Sequence, residues 1–177
     1  GYDYGAGYCV FNDVAVAANY IKTKKRIKNI LILDLDVHQG NGNSEIFKKD
    51  KNIFTFSMHC KSNYPAKKSK SDLDVELEDN LEDKEYIRIL KKNLEELNKL
   101  KFDFVFYVAG VDVHHNDKLG KLKLTDSGIS KRENLVIENF FSKDIPLCGV
   151  LGGGYNKDFN KLIELHALLH KNCASFL

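Results

Sequence analysis

Four short runs, NILILDLD (29–36), NIFTFSMH (52–59), FDFVFYVAG (102–110) and IPLCGVLGGGY (145–155), are almost continuously apolar and rich in β-branched and aromatic residues. A strand with one wet face alternates polar and apolar side chains, so near-continuous runs of this length predict strands buried on both faces. The segments around them read differently. In FNDVAVAANYIKTKKR (11–26), Asn12 or Asp13 is placed to cap a helix that carries Val14, Ala17, Ala18 and Ile21 at helical spacing. DKEYIRILKKNLEELNKL (83–100) and TDSGISKRENLVIENFF (125–141) are amphipathic at a period near 3.6, and the last strand leads into NKDFNKLIELHALLHKN (156–172). Alternating strand and helix predict an α/β fold, a parallel sheet with helices on both faces, whose ligands bind outside the carboxyl ends of the strands.

A chain of 177 residues with 43% hydrophobic content buries one core, so residues 1–177 are expected to form part of a single domain. CKSNYPAKKSKSDLDVELEDN (60–80) lacks a period and reads as a surface loop. The formal net charge of +2 demands no polyanion-binding face, and no direct nucleic-acid binding is expected. No apolar stretch reaches bilayer length, and GYDYGAGY has no basic or apolar leader pattern. Cys9, Cys60, Cys148 and Cys173 form no CxxC pair, which predicts reduced, buried thiols; an intracellular, soluble protein with no membrane partner is expected. The chain lacks an initiator Met, so an N-terminus upstream is expected.

The chemistry lies in DLDVHQGNG (34–42). On a strand, Asp34, Asp36 and His38 project to one side at the carboxyl end. Unpaired carboxylates there cost several kcal/mol (roughly 2–7 even for a neutral polar group) unless a cation or dense hydrogen bonding compensates them. FDFVFYVAG runs on to Asp112, and LCGVLGGG runs on to Tyr155. Asp36, His38 and Asp112 make a three-ligand set with an open position, the pattern of a catalytic zinc site, where a bound water becomes acidic and a carbonyl is polarised. Tyr155, following a glycine run, is placed to donate to a developing oxyanion.

These blocks resemble the zinc-dependent histone deacetylase and acetoin-utilisation-protein superfamily, which shares its fold with arginase. GYCVFNDVAVAA, DLDVHQGNG, AGVDVHHNDKLGKLKLTDSGI and LGGGY match its segments in order, and the Gln of DVHQGNG is closest to class IV members and their bacterial relatives. The resemblance implies that Asp36, His38 and Asp112 hold one zinc ion and that Tyr155 polarises the scissile carbonyl. Gly7, Tyr8, Tyr64, Leu119 and Gly153 match the acyl-lysine channel. Asp34 matches an acid that orients a catalytic histidine and, with backbone near His38, Ser57 and Met58, contributes to a bound potassium ion. Asn41 matches the partner of a second catalytic histidine.

The family's adjacent His-His pair, its general base and partner, precedes the segment matching GYDYGAGYC, where this sequence starts. His114-His115 lies in a block where the family's residues vary and is not read as a replacement; His59, His166 and His170 are read as packing or surface residues. The chain therefore resembles the C-terminal portion of the catalytic domain, with the N-terminal part missing, and is expected to be poorly active alone. The resemblance implies a deacylase of N-acyl-lysine, with a chromatin role among the family's functions. A deacetylase of small acylated amines such as acetylpolyamines, or a non-catalytic metal-binding module, remains open, as does the oligomeric state.

Overall fold

A computed structural model describes residues 1–24 and 26–176. Its elements run α1 (Asp13–Lys22), β1 (Ile30–Asp34), α2 (Asn41–Phe47), β2 (Ile53–Cys60), β3 (Leu73–Leu77), α3 (Asp83–Leu97), β4 (Phe104–Ala109), α4 (Asp126–Phe141), β5 (Leu147–Leu151) and α5 (Phe159–Ala174). The five strands form one sheet in the order β3-β2-β1-β4-β5, and every pairing is parallel. In the centre, Ile32 lies beside Thr55 of β2 and Phe106 of β4.

All five residues of β1 are buried, because alternate side chains enter two different cores. Leu31 and Leu33 join Phe56, Tyr107 and the inner faces of α3, α4 and α5. Ile30 and Ile32 join Ile53, Phe106 and residues of α1 and α2. Helix α1 starts where the sequence places it: the Asn12 side chain accepts from the Ala15 amide at 2.8 Å. Among the described residues no helix is long and apolar enough to cross a membrane.

Two expectations need correction, and one helix was not anticipated. The stretch 60–80 is not all loop, since Leu73–Leu77 adds strand β3 at the sheet edge, where Asp74 and Glu76 can stand in a ladder open on one side. Helix α2 forms from NGNSEIF, a sequence of poor helix formers; Phe47 anchors it in the core and the Ser44 hydroxyl donates back to the Asn41 carbonyl. The four cysteines are unpaired, but only Cys60 is buried; Cys9 and Cys148 are exposed.

Candidate metal centre

From β1 the chain moves outward to β2 and β3, then returns to place β4 on the other side of β1. The crevice between the carboxyl ends of β1 and β4 is therefore the topological switch point of the sheet. Strand β1 stops at Asp34, so Asp36 and His38 lie in the loop beyond it, and strand alternation does not align them. Backbone amides aim the carboxylates instead. The Asp36 amide donates to Asp34 Oδ1 at 3.0 Å, the His38 amide to Asp36 Oδ1 at 2.8 Å, and the Val37 amide to Asp112 Oδ1 at 2.9 Å. The Gly153 amide, from the loop after β5, donates to Asp36 Oδ2 at 2.6 Å.

Asp36, His38 and Asp112 converge, with one ligand atom from each within 4.8 Å of the others. His38 Nδ1 lies 3.0 Å from Asp36 Oδ1 and 3.1 Å from Asp112 Oδ2. The crowding tolerates nothing larger than glycine nearby: a Cβ on Gly153 would stand 2.0 Å from Asp112 Oδ2, and one on Gly110 would stand 2.3 Å from Asp36 Oδ2.

Electrostatically the group calls for a positive charge. Burial, then the charge of Asp36, pushes the Asp112 carboxyl up to about 8. Burial also works against the charge on Asp36, but hydrogen bonds from the His38 side chain and backbone outweigh it and hold that carboxyl low. Burial likewise disfavours a charged His38, yet its bonds to Asp112 and Asp36 raise it to about 10. Two carboxylates around one imidazole either keep a proton on the ring or exchange it for a metal cation. Two oxygens, one nitrogen and one face without a protein ligand fit zinc in a catalytic rather than a structural setting.

The other expected residues are placed as follows. The Tyr155 ring lies edge-on to His38, with centroids 6.2 Å apart, and its backbone amide donates to Asp117 Oδ2 at 2.7 Å. Burial, then the charges of Asp112 and Asp36, lifts the Tyr155 hydroxyl to about 12, so it remains a proton donor at neutral pH. Tyr8 follows Gly7 in a turn with positive φ at both, and its exposed ring lies 5.9 Å from that of Tyr155. Tyr64 and Leu119 are exposed, while the Leu119 carbonyl is tied to Asn63 at 2.7 Å. Asp34 is buried beside the triad, and burial, then Asp36, raises its carboxyl well above the usual range. Asn41 opens α2, and its side chain interacts with Glu45. The Ser57 hydroxyl accepts from the Gly40 amide at 3.2 Å and lies 3.0 Å from His59 Nδ1. His114 pairs with Asp126 at 3.1 Å, and His115 Nδ1 lies 3.1 Å from the Leu124 carbonyl.

Sequence reading missed Asp117. One of its oxygens receives the amides of Leu119 and Gly120, and the other receives Tyr155, so it ties the loop after β4 to the loop after β5. An aspartate in a polar loop gives no periodic signal of such a role.

Residues 2–168 match the histone deacetylase domain. The chain belongs to the histone deacetylase family. It is 47% identical over 169 residues to a protein of Picosynechococcus sp., covering 95% of this chain and 56% of the relative. With histone deacetylase 2 of Arabidopsis thaliana it shares 32% identity, over 90% of this chain and 42% of the relative. A crystal structure of an HDAC homolog from Aquifex aeolicus superposes with a TM-score of 0.78 at 26% identity, over 94% of this chain and 48% of that one. Acetylpolyamine aminohydrolase from Burkholderia pseudomallei shares the fold, with a TM-score of 0.84 at 20% identity, over 97% of this chain and 52% of that one. The α/β fold is thus the arginase/deacetylase fold, and the chain spans about half the length of the relatives it matches.

Proposed function

We propose that residues 1–177 are the C-terminal portion of a single deacetylase domain, and that the protein carrying the whole domain is a zinc-dependent amidohydrolase that removes acetyl or longer acyl groups from N-acyl-lysine. The observation that carries this reading is the convergence of Asp36, His38 and Asp112 at the switch point with the Tyr155 ring beside them. Zinc bound there supplies Lewis acidity toward the acyl carbonyl and acidifies a water. The remaining work falls to side chains. Tyr155 keeps its proton and donates it in a hydrogen bond to the developing oxyanion, an effect of ~3 kcal/mol for one donor. Tyr8 and Gly7, Tyr64, Leu119 and Gly153 line the passage for the acyl-lysine stem, with the Tyr8 ring tilted toward that of Tyr155. Asp34 and Asn41 orient histidines that act as base and partner, supplied outside this sequence. Asp34, with backbone near His38, Ser57 and Met58, takes part in a potassium site.

Steady-state turnover by a protein carrying the whole domain tests this reading. Hydrolysis of an acetyl-lysine peptide that is lost with a zinc chelator and restored by zinc is expected. Preference for an acetylpolyamine moves the substrate to small acylated amines. Zinc binding without turnover on either makes the protein a metal-binding module.

A further inference from the structure

The buried stripe of α4 contains two charges. Arg132 and Glu133 sit among Ile129, Val136, Ile137 and Phe140, and both side chains are fully buried. Arg132 Nη2 donates to Glu133 Oε1 at 2.5 Å, and the Tyr107 hydroxyl, from β4, donates to Glu133 Oε2 at 2.5 Å. The other end of the fork matters more. Arg132 Nη1 donates to the Gly110 carbonyl at 2.7 Å and to the Leu35 carbonyl at 3.2 Å. Leu35 directly precedes Asp36, and Gly110 lies two residues before Asp112.

Both carbonyls stand where β1 and β4 have just ended, so each has left its ladder and needs a donor inside the protein. A guanidinium answers two carbonyls and a carboxylate at once from a rigid fork, which an ammonium cannot do. The loops it spans are already in contact. A Cβ on Gly110 would come within 2.8 Å of the Asp36 Cα, and the Val37 amide bonds Asp112. A change in the Leu35–Gly110 spacing therefore reaches Asp36 and Asp112 through backbone, with no flexible side chain between. A buried ion pair is a poor device for stability alone, because apolar replacements of similar volume often fold as well or better.

We propose that Arg132, oriented by Glu133 and Tyr107, is a positioning residue that fixes the separation of the Asp36 and Asp112 loops and thereby the affinity of the metal centre. The proposal rests on reading Asp36, His38 and Asp112 as a zinc site, and its role is to preset that site before metal arrives.

The test uses a protein carrying the whole domain and measures zinc affinity against a chromophoric chelator, the visible spectrum of its cobalt-loaded form, and thermal melting of its metal-free form. The variants are Arg132→Lys and the apolar set Tyr107→Phe/Arg132→Met/Glu133→Leu, with Leu90→Ala in the core face of α3 as a control. Both strut variants are expected to loosen zinc by about 10–100-fold and to alter the cobalt spectrum. Leu90→Ala is expected to lower the melting temperature and leave zinc affinity within about threefold. Wild-type zinc affinity in Arg132→Lys, or in the apolar set if that folds, overturns the strut. So does affinity that falls in step with melting temperature across all variants, Leu90→Ala included. Failure of the unaltered whole-domain protein to bind zinc overturns the metal reading itself, an outcome visible before any variant is compared.

Discussion

Two regions of this chain reverse the usual placement of charge and apolar surface. At the switch point, Asp34, Asp112, Arg132 and Glu133 are buried to between 0% and 6% exposure. Elsewhere, on the segment leading into α1, on α1 and α5, and along β5, large apolar side chains face out: Phe11 is 81% exposed, Phe159 70%, Val16 64%, Tyr20 63% and Leu151 55%. The first reversal is compensated inside the chain only in part, carboxylate by amide and guanidinium by carbonyl, which leaves the carboxylates in need of a cation. Among the described residues the second is not compensated, and β5 pairs with β4 alone. The opposite edge strand shows what a true outer edge looks like, since β3 carries Asp74 and Glu76. Buried charge that needs a cation points to a ligand, whereas an apolar face beside an open strand points to more protein. That accords with reading the chain as part of a larger domain.

Breaking the compensated region should give the largest effects. Asp112→Ala removes one candidate ligand and leaves only Asp36 and His38 to hold the ion; zinc affinity should fall about 10³-fold, equivalent to roughly 4 kcal/mol, as read by chelator competition. Tyr155→Phe keeps the ring and deletes the hydroxyl. In a protein carrying the whole domain it should slow kcat by roughly 10²–10³ with zinc content and melting temperature unchanged, because the lost bond strengthens in the transition state. Packing alone would leave kcat near normal. Asp34→Asn keeps most of the zinc but should lower the rate by about 10-fold or more through lost orientation; wild-type turnover would place Asp34 outside the mechanism.

The uncompensated region should respond less, and in a direction that depends on context. In this chain Leu151→Lys should change stability by no more than about 0.5 kcal/mol and reduce self-association in sedimentation. In the longer protein the same change should lower stability by roughly 1–3 kcal/mol, because it buries a charge where an apolar side chain packed. Equal tolerance in both would mean that nothing covers the β5 edge.

Much of the fold is legible because burial on two faces writes itself as continuous apolar runs, as in ILILD and FVFYVA. The two missed elements have reasons. β3 does alternate apolar and polar residues in LDVEL, but the alternation is short and lies inside a lysine-, serine- and acid-rich stretch that masks it. α2 is held by packing and side-chain bonds in spite of its propensity. The convergence of Asp36, His38 and Asp112 was legible by type and spacing, but the expected cause was not the operative one: amides at the end of β1, rather than strand alternation, bring Asp36 and His38 together. The amphipathic period of TDSGISKRENLVIENFF was legible, but Arg132 and Glu133 were not singled out within it. Their positions relative to Ile129, Val136 and Phe140 put them on the buried stripe, a signal present in the spacing but masked by charge.

The most direct measurement is X-ray absorption at the zinc edge of the metal-loaded chain, with stoichiometry measured in the same sample. The account predicts one zinc per chain and a shell of nitrogen and oxygen at about 2.0–2.2 Å with a single imidazole, reduced to background zinc content in His38→Ala. Sulfur at about 2.3 Å, more than one imidazole, or full zinc content in His38→Ala would contradict it.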